Sequence, residues 1–186
     1  LLKNISGEIA DYTARNKITI GGNICGQIFY REAILPFLLM DSQIVIANQN
    51  GTKKVGINEV FNQQLQLKEG GILVQIITKK GYITAPFISI KKRNQWHTGY
   101  PLVTVAAIKV DGRIRVAISG LCPYPFRLKE IEDVLNEHTL SNLEKISKAM
   151  KFLPQPILND VEGSKEYRLF VLKNTLLHIL SQLGVK

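Results

Sequence analysis

Leu2, Ile5, Ile9 and Tyr12 recur at three- and four-residue spacing, which predicts an amphipathic helix from the start of the chain to Tyr12. The next segment breaks that rhythm. Thr19 to Gly26 reads Thr-Ile-Gly-Gly-Asn-Ile-Cys-Gly, too rich in glycine for a helix interior and suited to a backbone that bends sharply or approaches a ligand. Arg31 to Met40 is a second helical candidate if it starts close to Pro36 or kinks there, and it ends at Asp41-Ser42.

The period then shortens to two. Gln43 to Ala47 and Lys53 to Val55 read as strands around an Asn50-Gly51 turn, since both turn residues tolerate positive φ. Ile72 to Ile77 is a short β-branched strand. Past Lys79 three longer strands are predicted, Phe87 to Arg93, Leu102 to Val110 and Arg113 to Ser119, the last two joined by a type I′ turn at Asp111-Gly112. Helices follow around Leu128 to Asn136, Ser141 to Met150 and Ser164 to Leu183. A boundary falls in Thr78 to Ala85, giving two parts, residues 1–78 and 79–186.

With 186 residues, 45% of them hydrophobic, the chain can bury a sizeable core and is expected to be globular. Its apolar runs fall short of the roughly 20 residues a membrane span needs, so cytoplasmic residence without a membrane span is expected. The chain opens on Leu1, already in mid-helix pattern, and is expected to be a fragment or a processed product.

The formal charge of +9 raises nucleic acid as a partner, and a basic RNA-binding module is one rival reading. The basic groups, Lys53-Lys54, Lys79-Lys80 and Lys91-Lys92-Arg93, are scattered and accompany no nucleic-acid motif. Solvated surface and protein docking account for them better, and no nucleic-acid partner is expected.

Cys25 and Cys122 are too few for an iron–sulfur site and too far apart for a CxxC metal motif, so free thiols and no metal site are expected. His97, His138 and His178 lie near no nucleophilic serine or cysteine motif, so a hydrolase has no support and no catalytic residue is assigned. His178 reads as a core or boundary residue of the last helix.

Gly21-Gly22-Asn23 is the most promising chemical element, because consecutive glycines expose backbone N–H groups and let a flat cofactor approach closely. A plain tight turn explains two glycines equally well, and the motif is neither GxGxxG nor a Walker loop. The longer string is more specific. Arg15-Asn16-x-x-Thr19-x-Gly21-Gly22-Asn23, then Glu32 and a helix matching Leu-Pro-x-Leu from Leu35, resembles the FAD-binding subunits of the xanthine dehydrogenase and carbon monoxide dehydrogenase (molybdenum hydroxylase) family. The resemblance runs on through Ile72 to Ile77, Tyr100-Pro101-Leu102-Val103, Gly120 to Arg127 and Ser164-Lys165-Glu166-Tyr167-Arg168.

That resemblance implies an α+β architecture: residues 1–78 as the second subdomain of the FAD-binding, molybdopterin dehydrogenase type fold, followed by a three-stranded antiparallel sheet with helices. It implies FAD as cofactor, with Thr19, Ile20, Gly21, Gly22 and Asn23 at the pyrophosphate and sugar chain, Glu32 accepting from cofactor hydroxyls, Leu73 packing on the cofactor, and Tyr100 near the flavin ring. Partner subunits would hold the iron–sulfur clusters and the molybdopterin, and electrons would pass through FAD to NAD or another acceptor. The family's first subdomain, with its own glycine-rich loop, is absent, and a lysine many relatives carry corresponds to Ser89. Losing about 4 kcal/mol from a micromolar site would leave roughly millimolar affinity, so this part alone is expected to be inactive. A scaffold that docks the iron–sulfur and molybdenum subunits without flavin is the alternative.

Overall fold

The computed structural model describes residues 1–94 and 99–184; His97 lies outside them. The opening helix is shorter than its apolar spacing predicts. Helix α1 (Leu2–Gly7) stops where Ala10 takes a positive φ of 50°, and a separate turn, α2 (Tyr12–Arg15), begins under Asp11, whose carboxylate accepts from Ala14 N at 2.7 Å. Arg15 donates to the carbonyls of Ile9 and Ala10 and holds that corner closed.

The glycine-rich segment is not the bend its composition suggests. Ile20–Cys25 forms a short helix, α3, with Thr19 as its N-cap accepting from Gly22 N at 2.9 Å. A satisfied cap outweighs the poor helix propensity of the glycines that follow it. A 3-10 turn at Glu32–Ile34 leads into α4 (Leu35–Leu39), which tolerates Pro36 because that residue sits in the first turn, where no intrahelical N–H is required.

Strands β1 (Gln43–Asn48) and β2 (Gly51–Gly56) pair antiparallel with Asn48 opposite Gly51, so the loop is Gln49-Asn50. The sequence signal placed that turn one residue late. Positive φ falls on Gly51 (115°) and not on Asn50. A helical turn α5 (Ile57–Val60) and a two-residue ladder, β3 (Phe61–Asn62) with β4 (Gln64–Leu65), precede β5 (Ile72–Ile77), which completes a sheet of order β2-β1-β5.

The second sheet has order β6-β7-β8, built from β6 (Phe87–Arg93), β7 (Pro101–Val110) and β8 (Arg113–Ser119), all antiparallel. Val110 faces Arg113, and Asp111 (φ 49°) with Gly112 (φ 77°) make the expected two-residue turn of positive φ. Helix α6 (Lys129–Leu135), α7 (Asn142–Ala149) and α8 (Lys165–Leu183) follow. Ser141 and Glu144 close a reciprocal capping box on α7, and Ser164 caps α8 by accepting from Tyr167 N. The architecture is the α+β arrangement expected, with helices against antiparallel sheets.

Two apolar cores result. One gathers Val103, Val105, Ala107, Val116 and Ile118 with the α6, α7 and α8 residues Ile131, Ile146, Leu172 and Leu176. The other gathers Ile5, Ile24, Ile34, Leu35 and Ile44 with Ala106, Ile108 and Ala117. Alternation along β7 sends successive side chains to opposite faces, so this strand contributes to both. Among the described residues no helix is long and apolar enough to cross a membrane.

Candidate functional site

A cleft of about 670 Å³ opens between the α2–α3 segment and the start of β7, within the volume range of small-molecule sites. Lys17, Ile18, Thr19, Gly22, Asn23 and Ile28 line one side, and Tyr30, Glu32, Lys91, Gly99, Tyr100 and Pro101 the other. Its polar floor is a buried ion pair. Glu32 is 2% exposed; its Oε2 receives Lys91 Nζ at 2.6 Å, and its Oε1 accepts from the Thr104 hydroxyl. Lys91 also donates to the carbonyl of Glu8 at 2.8 Å.

Its upper wall is aromatic. Tyr100 is half exposed and stacks on Tyr30 with ring centroids 4.5 Å apart and planes 17° from parallel. Burial raises the Tyr30 hydroxyl above the usual tyrosine range, helped by the nearby carboxylates of Asp160 and Glu162 and opposed by the Arg168 guanidinium.

The structure brings together Thr19, Gly22, Asn23, Glu32 and Tyr100 of the residues singled out in the sequence. Ile20, exposed on α3, and Gly21 stand beside the cleft and do not line it. Leu73 is elsewhere: on β5 it sits opposite Ile46 and packs on the core, since its side chain takes the inward face of the first sheet. The Thr19 hydroxyl is committed to Gly22 N, and the Asn23 side-chain oxygen to Ala33 N at 3.2 Å, so both shape the wall from within. Glu32 offers only the lone pairs that Lys91 and Thr104 leave.

Two expectations are corrected. Lys91, read as solvated, has a side chain only 5% exposed, because it lies on the β6 face that turns toward Glu32. A lysine is therefore present at the cleft although position 89 is serine; residues 89 and 91 share a strand face, and that periodicity was the available signal. His178 is exposed on α8, neither core nor boundary. Tyr30 was not singled out, since an aromatic in a loop carries no distinctive pattern, and Arg168 entered only as the end of the Ser164 to Arg168 string, with no role of its own.

Exposed apolar side chains (Ile18, Ile28, Tyr100), a flanking lysine and a buried acid–base pair suit a ligand with a flat ring at one end and polar or anionic groups along its length. FAD has that form, and the close approach of backbone at Gly22 fits it. A Cβ there would lie 2.9 Å from Thr19 Oγ1, so glycine keeps the wall flat. Among the described residues no group of His, Cys, Asp or Glu could hold a metal ion.

Comparison with known proteins gives three findings. Residues 1–78 match the family described as FAD binding domain in molybdopterin dehydrogenase. The uncharacterized protein YgfM of Escherichia coli K12 is 26% identical over 172 residues, which are 91% of this chain and 60% of that protein. Among solved structures, quinoline 2-oxidoreductase from Pseudomonas putida 86 superposes with a TM-score of 0.76 at 19% identity, over 97% of this chain and 65% of that one. Carbon monoxide dehydrogenase from Hydrogenophaga pseudoflava gives 0.76 at 19% identity, over 91% and 62%. The chain thus spans less than two thirds of the length of these relatives, and the likeness to solved structures establishes the fold.

Proposed function

We propose, from the premise that residues 1–78 carry the FAD-binding domain of the molybdopterin dehydrogenase family, that this chain belongs to the flavin-binding, electron-transfer part of a molybdenum hydroxylase-type oxidoreductase. The observation that carries the reading is the cleft itself, where the Thr19–Asn23 string, the Glu32–Lys91 pair and Tyr100 converge from segments far apart in sequence.

FAD supplies the redox chemistry when bound. The protein's part is binding and electrostatics. Thr19 and Asn23 hold the α3 backbone against the cleft through their own hydrogen bonds, so the wall is formed before any ligand arrives. Lys91, neutralised by Glu32 but only partly screened, presents a hydrogen-bond donor and a polarised field at the floor. Tyr30 and Tyr100 offer an aromatic face against which a flat ring can stack, excluding water from one side.

In this reading iron–sulfur and molybdenum-bearing subunits are the partners, and NAD or another acceptor would approach on the exposed side of Tyr100. The resemblance to xanthine dehydrogenase extends the proposal to the acceptor; the solved relatives named above act on quinoline and on carbon monoxide, as their names state.

The test is a titration of flavin with the full-length protein, followed by flavin absorbance and fluorescence, against FMN and ADP as partial ligands. The reading expects saturable quenching by FAD and weaker responses to both fragments. Absence of any FAD response, with the fold intact by circular dichroism, leaves the cleft as ancestral shape and favours the scaffold function.

A further inference from the structure

Arg168, in the first turns of α8, is completely buried, and its guanidinium is spent on backbone where two strands begin and end. One nitrogen donates to the carbonyls of Leu102 at 2.5 Å and Gly120 at 2.6 Å, with that of Pro101 at 3.4 Å. The other terminal nitrogen donates to Asp160 Oδ1 at 2.5 Å, and Nε to the carbonyl of Gly163 at 3.3 Å. Gly120 takes a φ of 79°, and a Cβ there would lie 3.2 Å from both the Pro101 and Leu102 oxygens, so the carbonyls converge only because that position is glycine.

Pairing between β7 and β8 starts at Thr104 and Ser119. The stretch before that pair is laddered to β6 on one side, Arg93 opposite Pro101 and Lys92 opposite Val103, and on its other side Arg168 takes the place of the missing β8 bonds. Tyr100 is attached directly to this stretch, and its ring rests on Tyr30. Tyr30 comes from a separate segment, yet its hydroxyl lies in the field of the same two groups, Arg168 and Asp160, with Glu162 beside them. The Arg168–Asp160 pair, its arginine fully buried and its aspartate partly exposed, thus stands behind the stretch that carries Tyr100.

We propose that Arg168, backed by Asp160, is a positioning residue for the aromatic wall of the cleft: it fixes the backbone that carries Tyr100, so that this ring stays stacked on Tyr30. The identity of what the wall faces rests on the flavin reading; the positioning itself does not.

The experiment reads the two separately. With ring-labelled tyrosine, the six tyrosines are resolved by NMR and assigned with Tyr30→Phe and Tyr100→Phe. The expected result is a contact between the two rings in the wild type that disappears in Arg168→Met, weakens in Asp160→Asn, and returns in part in Arg168→Lys. Leu172→Ala, equally buried on the same helix, is the control for plain loss of packing and keeps the contact. FAD titration should then show about tenfold weaker binding in Arg168→Met and Asp160→Asn and none of that loss in Leu172→Ala. Should Arg168→Met fail to fold, Asp160→Asn carries the test, because Asp160 is partly exposed. Ring contacts that persist in Asp160→Asn and in every folded Arg168 variant overturn the proposal. A wild type that ignores FAD overturns the flavin reading alone, and the ring contact still decides what Arg168 does.

Discussion

Lys91 on β6 and Glu32 on the turn before α4 meet at 2.6 Å with 5% and 3% of their side chains exposed, the most deeply buried of the ion pairs found among the described residues. Their attraction offsets a desolvation cost that neither charge could meet alone. Lys91→Met or Glu32→Leu should each cost about 3–5 kcal/mol by urea unfolding, because each strands a buried charge. The double variant should recover most of that loss. Single effects that simply add would show the two side chains to be energetically independent.

Gly21 and Gly22 are adjacent and should respond oppositely to alanine. A Cβ on Gly22 would push on the Thr19 hydroxyl, so Gly22→Ala should cost about 1 kcal/mol through the lost cap. At Gly21 nothing lies within 4 Å of the added carbon, and Gly21→Ala should be neutral or up to about 1 kcal/mol stabilising. Thermal melts give the ordering. If Gly21→Ala weakens FAD while leaving the melt unchanged, the open space beside it is occupied by the cofactor when bound.

The two cysteines should differ sharply toward a thiol reagent. Cys25 is exposed, whereas Cys122 is buried, donates toward the Pro154 carbonyl, and burial lifts its thiol from an ordinary 9.0 up to about 12. One thiol per native chain should react with Ellman's reagent at pH 8, and two after denaturation. The folded thiol holds its proton where the unfolded one releases it. Cys122 therefore contributes stability that is complete below pH 9 and is lost as pH rises from there toward 12. Cys122→Ala should flatten the alkaline limb of a stability-against-pH curve; an unchanged limb would assign it to other groups.

Asp41 joins two demands in one residue. Its φ of 44° is left-handed, and its carboxylate receives both Arg115 at 2.7 Å and Arg127 at 2.6 Å. Half of that side chain is exposed, so the pairs should contribute about 1 kcal/mol or less and fade with salt. Asp41→Asn keeps a residue that tolerates the backbone. Asp41→Ala should be destabilised by about 1 kcal/mol more than Asp41→Asn, measured at high salt to suppress the ionic part.

Local signals made the second half of the fold readable. The Asp111-Gly112 turn and the period-two runs around it define β7 and β8, and Ser164 marks the start of α8. The glycine string was found but its conformation was not, because a single side-chain bond from Thr19 decides between bend and helix. Leu73 was assigned to the cofactor by family position, while strand pairing with Ile46 packs it, partly buried, against the core. Lys91 and Arg168 were hidden for one reason: a charged residue reads as surface, and its burial is made tolerable by partners that no local pattern reveals, Glu32 for Lys91 and the carbonyls of Leu102 and Gly120 for Arg168.

Strand β7 gives one set of side chains to each of the two cores. The change of pattern near residue 78 is thus a seam in the sequence and not in the energy. Cutting there would leave Ala106, Ile108 and Ala117 as a raw apolar face on one piece and take the lid from Ile34 and Leu35 on the other. The halves should melt together as one cooperative unit, so a domain swap or graft at that seam would inherit a sticky surface unless β7 travelled with both partners, which one strand cannot do.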